Sequence, residues 1–566
     1  MPIIPPRLTS SQRAARLNFL KNIKQKRFWY KDVSSAIKVP SLDPAAIPLI
    51  LAQQEDYWFD HEWKRRDEER RDQAVAAYMQ PPNGYPQNLT DYGNVKAPYP
   101  EASGLRHVPR FANDKSFAAQ RLCGANPLMI RRVVDLDDWK EKLAVTDVHM
   151  PPDVKLEALV RERRLYICDY NDLTSFAGAG GTVWNLGWPL TKYLSAPIAL
   201  FYWKGGFGDT GELLPLAIQL EQFKSAEVFT PLPPTHPHNW LLAKAAVQVA
   251  DTQAHEWDSH LIRTHFMLAP FAVSSERHLH DEHPVLVLLR PHLRYLLAIN
   301  SKTGELVNEG EYGDQLLAPT FENKIKLLMH YYLNLDFSRM ANLRTEIAAR
   351  AMDQASAPIP YPYRDDGGPV YAAIHEYVTA YLKVYYNDAE NEVAEDGELQ
   401  NFIKELRDGN GGRISTLTPN GGPLETIRQL AELLTNVIWT SGPQHAAVNF
   451  AQWGYMADPR NMPFAGYGTA PEAANGAPPY PPVNFLPQYA QAKIQAAVMY
   501  TLGTWRMDML GFYRPKDFLD PAALKVIADF QCALARVGAE TFARDALRAF
   551  DYPYLVPWNI PNSTNI

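Results

Sequence analysis

The chain has 566 residues, 46% hydrophobic, 11% aromatic and 21% charged, which excludes a disordered protein and leaves room for one large domain or several ordinary ones. Its 56 basic and 63 acidic side chains give a formal charge of −7, so no general attraction to nucleic acid is built in. Three scattered cysteines, Cys123, Cys168 and Cys532, exclude a disulfide framework and a cysteine-rich zinc module. No apolar run reaches the ~18 residues of a membrane span, and the N-terminus lacks the apolar core and cleavage site of a secretory signal. The expectation is a soluble, cytoplasmic protein.

Residues 1–31 carry eight basic side chains and no acidic one. Leu17, Leu20 and Ile23 are spaced for one helix face, with Phe28 and Trp29 close behind. This arm reads either as a solvated segment packed on the body or as a peripheral contact with anionic membrane. Residues 55–75 predict a charged surface helix laced by i,i+4 pairs. The Pro-, Gly-, Tyr- and Asn-rich stretches 80–113 and 457–488 predict ordered surface loops. Short strands are expected at 163–170 and 196–203, and GAGGT (178–182), which does not complete GxGxxG, reads as a turn. Helical periodicity runs through 240–269, 321–352, 370–387, 397–407, 424–453, 488–513 and 521–550. The class is mainly α, with a small β element near 160–205.

Seven of the 15 histidines fall between residues 255 and 292: His255, His260, His265, His278, His280, His283 and His292. An even spread would place about one there. The first three are spaced by five. On a regular α-helix such positions diverge by roughly 140° after one turn, whereas a local π-bulge brings them toward one face. Two ligands at this spacing therefore require a deformed helix, or the histidines have separate roles. The HExxH pattern of zinc proteases does not occur. His445 and Asn449, four apart, suit two side chains aimed at one ion. In the final PWNIPNSTNI the only anionic group is the carboxylate of Ile566, which an apolar terminus could carry inside.

Taken together, W-L-L-A-K (240–244), His255, His260, His265, H-P-V-L-V-L-L-R-P-H (283–292), A-I-N (298–300), H-A-A-V-N-F (445–450) and P-N-S-x-x-I (561–566) resemble the lipoxygenase family in order and spacing. Weaker echoes occur at 121–132, 165–170, 214–220 and 361–367. The resemblance implies a compact, bacterial-type member without the N-terminal β-sandwich: one large helical catalytic domain over 111–566, preceded by a helical and loop extension over 1–110.

It also implies one non-haem iron (Fe2+/Fe3+) held by His260, His265, His445, Asn449 and the main-chain carboxylate of Ile566. Imidazole and oxygen donors suit iron, and the lack of thiolate argues against structural zinc. No catalytic residue is expected beyond the iron-bound hydroxide, which in the family takes a hydrogen atom from a bis-allylic methylene. Glu256 and Gln452 resemble a hydrogen-bonded pair linking the ligand helices to the pocket. His255, His283 and His292 are expected in packing or outer hydrogen bonds, and His278 and His280 as structural or exposed. Leu261 and Leu502 either flank the reacting pentadiene or are ordinary core. Thr303 falls where the family's Ala or Gly correlates with product handedness and is neither.

The implied activity is dioxygenation of polyunsaturated fatty acids (linoleic, linolenic or arachidonic type) by O2 to hydroperoxides. The substrate is expected in a long apolar channel, where each buried methylene contributes ~0.8 kcal/mol. The alternatives are a hydroperoxide isomerase on the same iron site and a lipid-binding protein with a relict metal site. The chain is expected to be a monomer that binds no nucleic acid, with residues 1–31 available to a membrane.

Overall fold

The computed structural model describes residues 2–28, 31–32, 50–51, 63–66, 68–69, 86–96, 99, 104–185, 188–308, 316–418, 421–478, 480–564 and 566. Helices dominate. Strands β1 (Lys31–Asp32) and β2 (Ile50–Leu51) form a short antiparallel pair. The small β element is larger than the sequence suggests: β3 (Arg131–Arg132), β4 (Leu165–Asp169), β7 (Ile198–Gly205), β8 (Gly211–Gln219) and β9 (Val228–Phe229) form one antiparallel sheet in the order β3-β4-β7-β8-β9. Strand β4 pairs with β7 from Leu165 opposite Tyr202 to Asp169 opposite Ile198. Successive side chains of a strand point to opposite faces. Tyr166, Cys168, Ala199 and Phe201 therefore join the main helical core, while Leu165, Ile167, Ile198 and Leu200 enter a smaller core with Val133, Trp139, Leu156 and Leu216. A sheet covered on both faces reads as continuous apolar runs.

GAGGT is not a turn. It opens β5 (Gly178–Asn185), paired with β6 (Trp188–Leu194). A Cβ on Gly180 would stand 1.9 Å from the Ala318 carbonyl oxygen, and Gly181 N–H donates to that same oxygen at 2.9 Å. The glycines let this strand lie against another backbone.

Most predicted helices form, with altered ends. The run at 321–352 splits into Phe321–Leu333, Phe337–Met340 and Leu343–Ala349, each started by a side-chain cap from Thr320, Asp336 or Asn342. The run at 370–387 begins earlier, as Pro362–Tyr385, and 488–513 ends early, as Tyr489–Thr504. Of the expected 55–75 helix, Trp63–Arg66 and Glu68–Glu69 are helical and Arg65 pairs with Glu69 at 3.2 Å; the rest lies outside the described residues. Within the described parts of the two Pro-rich stretches, Tyr92 is fully buried with its hydroxyl on the Pro487 carbonyl, and Gly466 pairs with Tyr193; residues 80–85, 97–98, 100–103 and 479 lie outside the described residues.

The basic arm is packed on the body. Thr9 and Gln12 form a capping box that starts the helix Ser10–Phe19, which continues through a π-turn, Leu20–Lys24. Arg7 forks onto Glu392 at 2.7 and 2.8 Å, Arg16 meets Glu398 at 2.8 Å, and Lys24 binds Glu276 and Asp281. The expected apolar face is divided. Leu20 is buried, but Leu17 and Ile23 are 46% and 53% exposed, because the buried side of the helix is occupied by Arg16, Leu20 and Lys24. Ile4 and Phe28 join the main core; Trp29 lies outside the described residues. Among the described residues no helix is long and apolar enough to cross a membrane.

Candidate metal centre

The helix Pro237–Ala254 is buried on almost every side from Trp240 onward, so it lacks a single apolar stripe and forms a central core element. At His255 it widens into a π-helix, His255–Phe266. There the five-residue spacing brings His260 and His265 together, their ring centroids 4.8 Å apart and their Nε2 atoms 3.1 Å apart. A second widening, Thr440–Gln444, leads into the helix His445–Asn449. His445 lies 5.6 Å from His260 and 5.1 Å from His265 between ring centroids. The three histidines are buried, and each offers a ligand atom within 4.8 Å of the others. Ile566, 2% exposed, places its terminal main-chain oxygen 3.0 Å from His445 Nε2. Asn449 is buried nearby; its amide oxygen accepts from Gln452 at 2.6 Å and its nitrogen donates to the Leu502 carbonyl at 2.9 Å.

Protonation logic tests whether this set fits a cation. Burial lowers the affinity of His260 for a proton, and burial with the neighbouring imidazoles holds His265 and His445 well below the ordinary histidine value. All three are thus neutral, with one N–H each. Asn300 donates to the His265 carbonyl at 3.3 Å and turns its oxygen to His265 Nδ1 at 3.2 Å, so the proton sits on Nδ1 and Nε2 keeps its lone pair. On the other side, Glu256 lies 3.7 Å from His260 Nδ1 and draws that ring's proton away from the centre too. Two lone pairs then face each other beside the main-chain oxygen of Ile566. This arrangement is repulsive alone and favourable around a metal cation, and its N/O donors without thiolate match iron better than a zinc–thiolate site.

The path of the last residues explains how Ile566 arrives there. Asn562 is clamped by Gly511 N–H to its side-chain oxygen (3.0 Å) and by its amide to the Phe512 carbonyl (2.8 Å). His292 meets the Asn562 carbonyl at 2.9 Å and Tyr513 at 3.1 Å. The Thr564 hydroxyl is shared between the carbonyls of Thr264 (3.0 Å) and Ser441 (3.2 Å), tying residue 564 to both histidine-bearing segments. Gly442 leaves the space this requires: a Cβ there would lie 2.9 Å from the Pro561 oxygen.

The geometry therefore gathers His260, His265, His445, Asn449 and Ile566 in one place. The expected Glu256–Gln452 hydrogen bond is replaced. Gln452 turns to Asn449, Glu256 approaches His255 (3.5 Å) and His260, and His255 Nε2 on the Val448 carbonyl at 2.9 Å joins the two histidine-bearing segments. His283 binds Asp396 at 2.9 Å with both fully buried, and His278 pairs with Glu405; these are structural. Leu261 is buried, Leu502 half-buried, and Thr303 donates to the Ile299 carbonyl at 3.0 Å on the helix Leu296–Asn308, which also carries Asn300. Asn300, Thr564 and Gly442 have no assigned role in the sequence reading, although A-I-N and P-N-S-x-x-I contain or bracket two of them.

A family model described as Lipoxygenase matches residues 59–478. The chain belongs to the lipoxygenase family. Linoleate 9/13-lipoxygenase of Pseudomonas aeruginosa is 32% identical over 487 residues, covering 81% of this chain and 67% of that protein. The allene oxide synthase-lipoxygenase protein of Plexaura homomalla is 29% identical over 480 residues, covering 81% and 44%. The crystal structure of coral 8R-lipoxygenase superposes with a TM-score of 0.84 at 25% identity, over 100% of this chain and 83% of that one. The chain thus spans about half to two thirds of the length of the curated relatives it matches. The lipoxygenase family normally uses non-haem iron, and its helical catalytic fold is the one seen here.

Proposed function

We propose that this chain is an iron-dependent dioxygenase that converts polyunsaturated fatty acids of the linoleic, linolenic or arachidonic type to hydroperoxides. The convergence of three neutral histidines, Asn449 and the Ile566 oxygen carries this reading. Iron held by these groups would supply the one-electron chemistry of hydrogen abstraction. In the overall reaction one bis-allylic C–H bond is broken, both atoms of O2 enter the product, and the hydrogen ends on the distal oxygen, so no external reductant is needed.

The chain's own task is to hold and orient. Asn300 and Glu256 fix the tautomers of His265 and His260, and His255 locks the two ligand helices to each other. Leu261, beside His260, and Leu502, whose carbonyl holds Asn449, would border the reacting carbons in an apolar channel. The basic arm adds a peripheral contact with anionic membrane through its exposed Arg13, Leu17, Lys21, Ile23, Lys26 and Arg27, the set left over once Arg7, Arg16 and Lys24 are paired internally.

Metal analysis with oxygen uptake on linoleate tests the reading. Stoichiometric iron and uptake with a conjugated-diene product support it. Iron without uptake, but with consumption of added fatty acid hydroperoxide, would replace it by an isomerase; protein that stays iron-free after Fe(II) treatment would leave a lipid-binding protein.

A further inference from the structure

The helix Pro521–Ala546 packs its inner side, including Ala523, Ile527, Phe530, Leu534 and Val537, on the body. Among the described residues, its outer side is exposed, touched at one edge where Trp558 meets Phe542 with ring centroids 6.0 Å apart. At roughly 100° per residue, exposed Ala528, Cys532, Ala535, Ala539 and Ala546 form one narrow stripe of small side chains, spaced by three, four and seven. Such a stripe lets another helix come close but does not identify it.

The flanks do. One carries the exposed charges Lys525, Asp529, Arg536 and Glu540, in the order plus, minus, plus, minus, with Lys525 and Asp529 paired along the helix at 3.0 Å and exposed enough to exchange partners. The pairs 525/540 and 529/536 are each centred within half a residue of position 533 and are opposite in sign. The other flank carries Leu524 and Phe542, 48% and 61% exposed, centred on 533 as well. In an antiparallel pair related by a two-fold axis each flank meets its own copy. Reversing the helix about position 533 sets Lys525 on Glu540, Asp529 on Arg536 and Leu524 on Phe542, each twice, with Ala528 near Ala539 and Cys532 near Ala535 in the seam. The matched window spans roughly 27 Å at 1.5 Å per residue. An anionic lipid surface would favour net positive charge, whereas these four charges cancel.

We infer that the outer face of Pro521–Ala546 is a self-complementary docking surface for a second copy of this chain, forming an antiparallel two-fold dimer centred near residue 533. This departs from the monomer expected from the sequence and is independent of the proposed chemistry.

Sedimentation of the 566-residue chain over a range of concentrations, without membranes, tests it. A monomer–dimer equilibrium is expected. Lys525→Glu and Glu540→Lys should each weaken it about tenfold, since each turns two attractive contacts repulsive, and the double exchange should restore it, with oxygen uptake per chain unchanged. A short thiol cross-linker should join two chains through Cys532, the exposed cysteine beside the axis, since Cys123 and Cys168 are buried, and Cys532→Ser should abolish the product. A protein that stays monomeric at high micromolar concentration, association that ignores both single reversals, or association without Cys532 cross-linking would overturn the inference. So would a face whose Leu524→Glu and Phe542→Glu variants lose only vesicle binding.

Discussion

Lys24 and His260 are almost equally buried, at 5% and 4% exposure, and each lies near a glutamate, yet their surroundings obey different rules. In the arm the buried cation is met by Glu276 and Asp281, and Arg16 by Glu398; each charge finds its opposite within the chain. In the centre His260 and His265 point nitrogen lone pairs at each other, with His445 and the main-chain oxygen of Ile566 beside them. Among the described residues none supplies the attraction that would balance them. Buried polarity that closes on itself is architecture, and buried polarity that converges without closing is a binding site.

Substitutions can break or sharpen this contrast. The largest effect is expected from His265→Ala, or equally His260→Ala or His445→Ala: iron by elemental analysis and oxygen uptake should both fall to background while the circular dichroism stays native. Retention of stoichiometric iron in all three would show that the ligands lie elsewhere. Residues added after Ile566 should remove most of the iron, because the carboxylate leaves its place beside His445; a fully loaded, fully active extended protein would take Ile566 out of the ligand set. Asn300→Leu leaves the ligands intact but frees the His265 tautomer, so iron affinity should drop 10- to 100-fold, measured by competition with a chelator. Gly442→Ala, which presses a methyl on the Pro561 oxygen, should lower stability by about 1–3 kcal/mol and weaken iron binding with it. In the arm the readouts separate. Arg16→Met should lower unfolding free energy by about 3 kcal/mol at most with iron content unchanged. Reversing Lys21, Lys26 and Arg27 to glutamate should affect only binding to anionic liposomes, by a few fold.

The sequence announces the centre more clearly than the scaffold that holds it. Five-residue histidine spacing demands a widened helix or separate roles, and the π-helix His255–Phe266 resolves that choice. What it hides is held by contacts between distant segments. Asn300 is one asparagine among many until its helix lies against His265. Thr564 is an unremarkable position until its hydroxyl reaches both Thr264 and Ser441. Strands buried on both faces lose the alternation that marks a strand in sequence, which hides much of the sheet, and in GAGGT glycine serves a close backbone approach as readily as a turn. In the arm, a three-residue apolar spacing implied a face that Arg16 and Lys24 occupy instead; the carboxylates that draw them inward lie more than 250 residues away in the chain.

One bond in the centre has a mechanical meaning. The amide of Asn449, a neutral and hence weak donor for a metal, is held by the backbone of Leu502, the residue proposed to border the reacting carbons. A lipid tail pressing on that leucine would therefore tug the weakest member of the proposed coordination sphere, so a bound fatty acid should be legible in the iron's spectrum even before any oxygen is admitted.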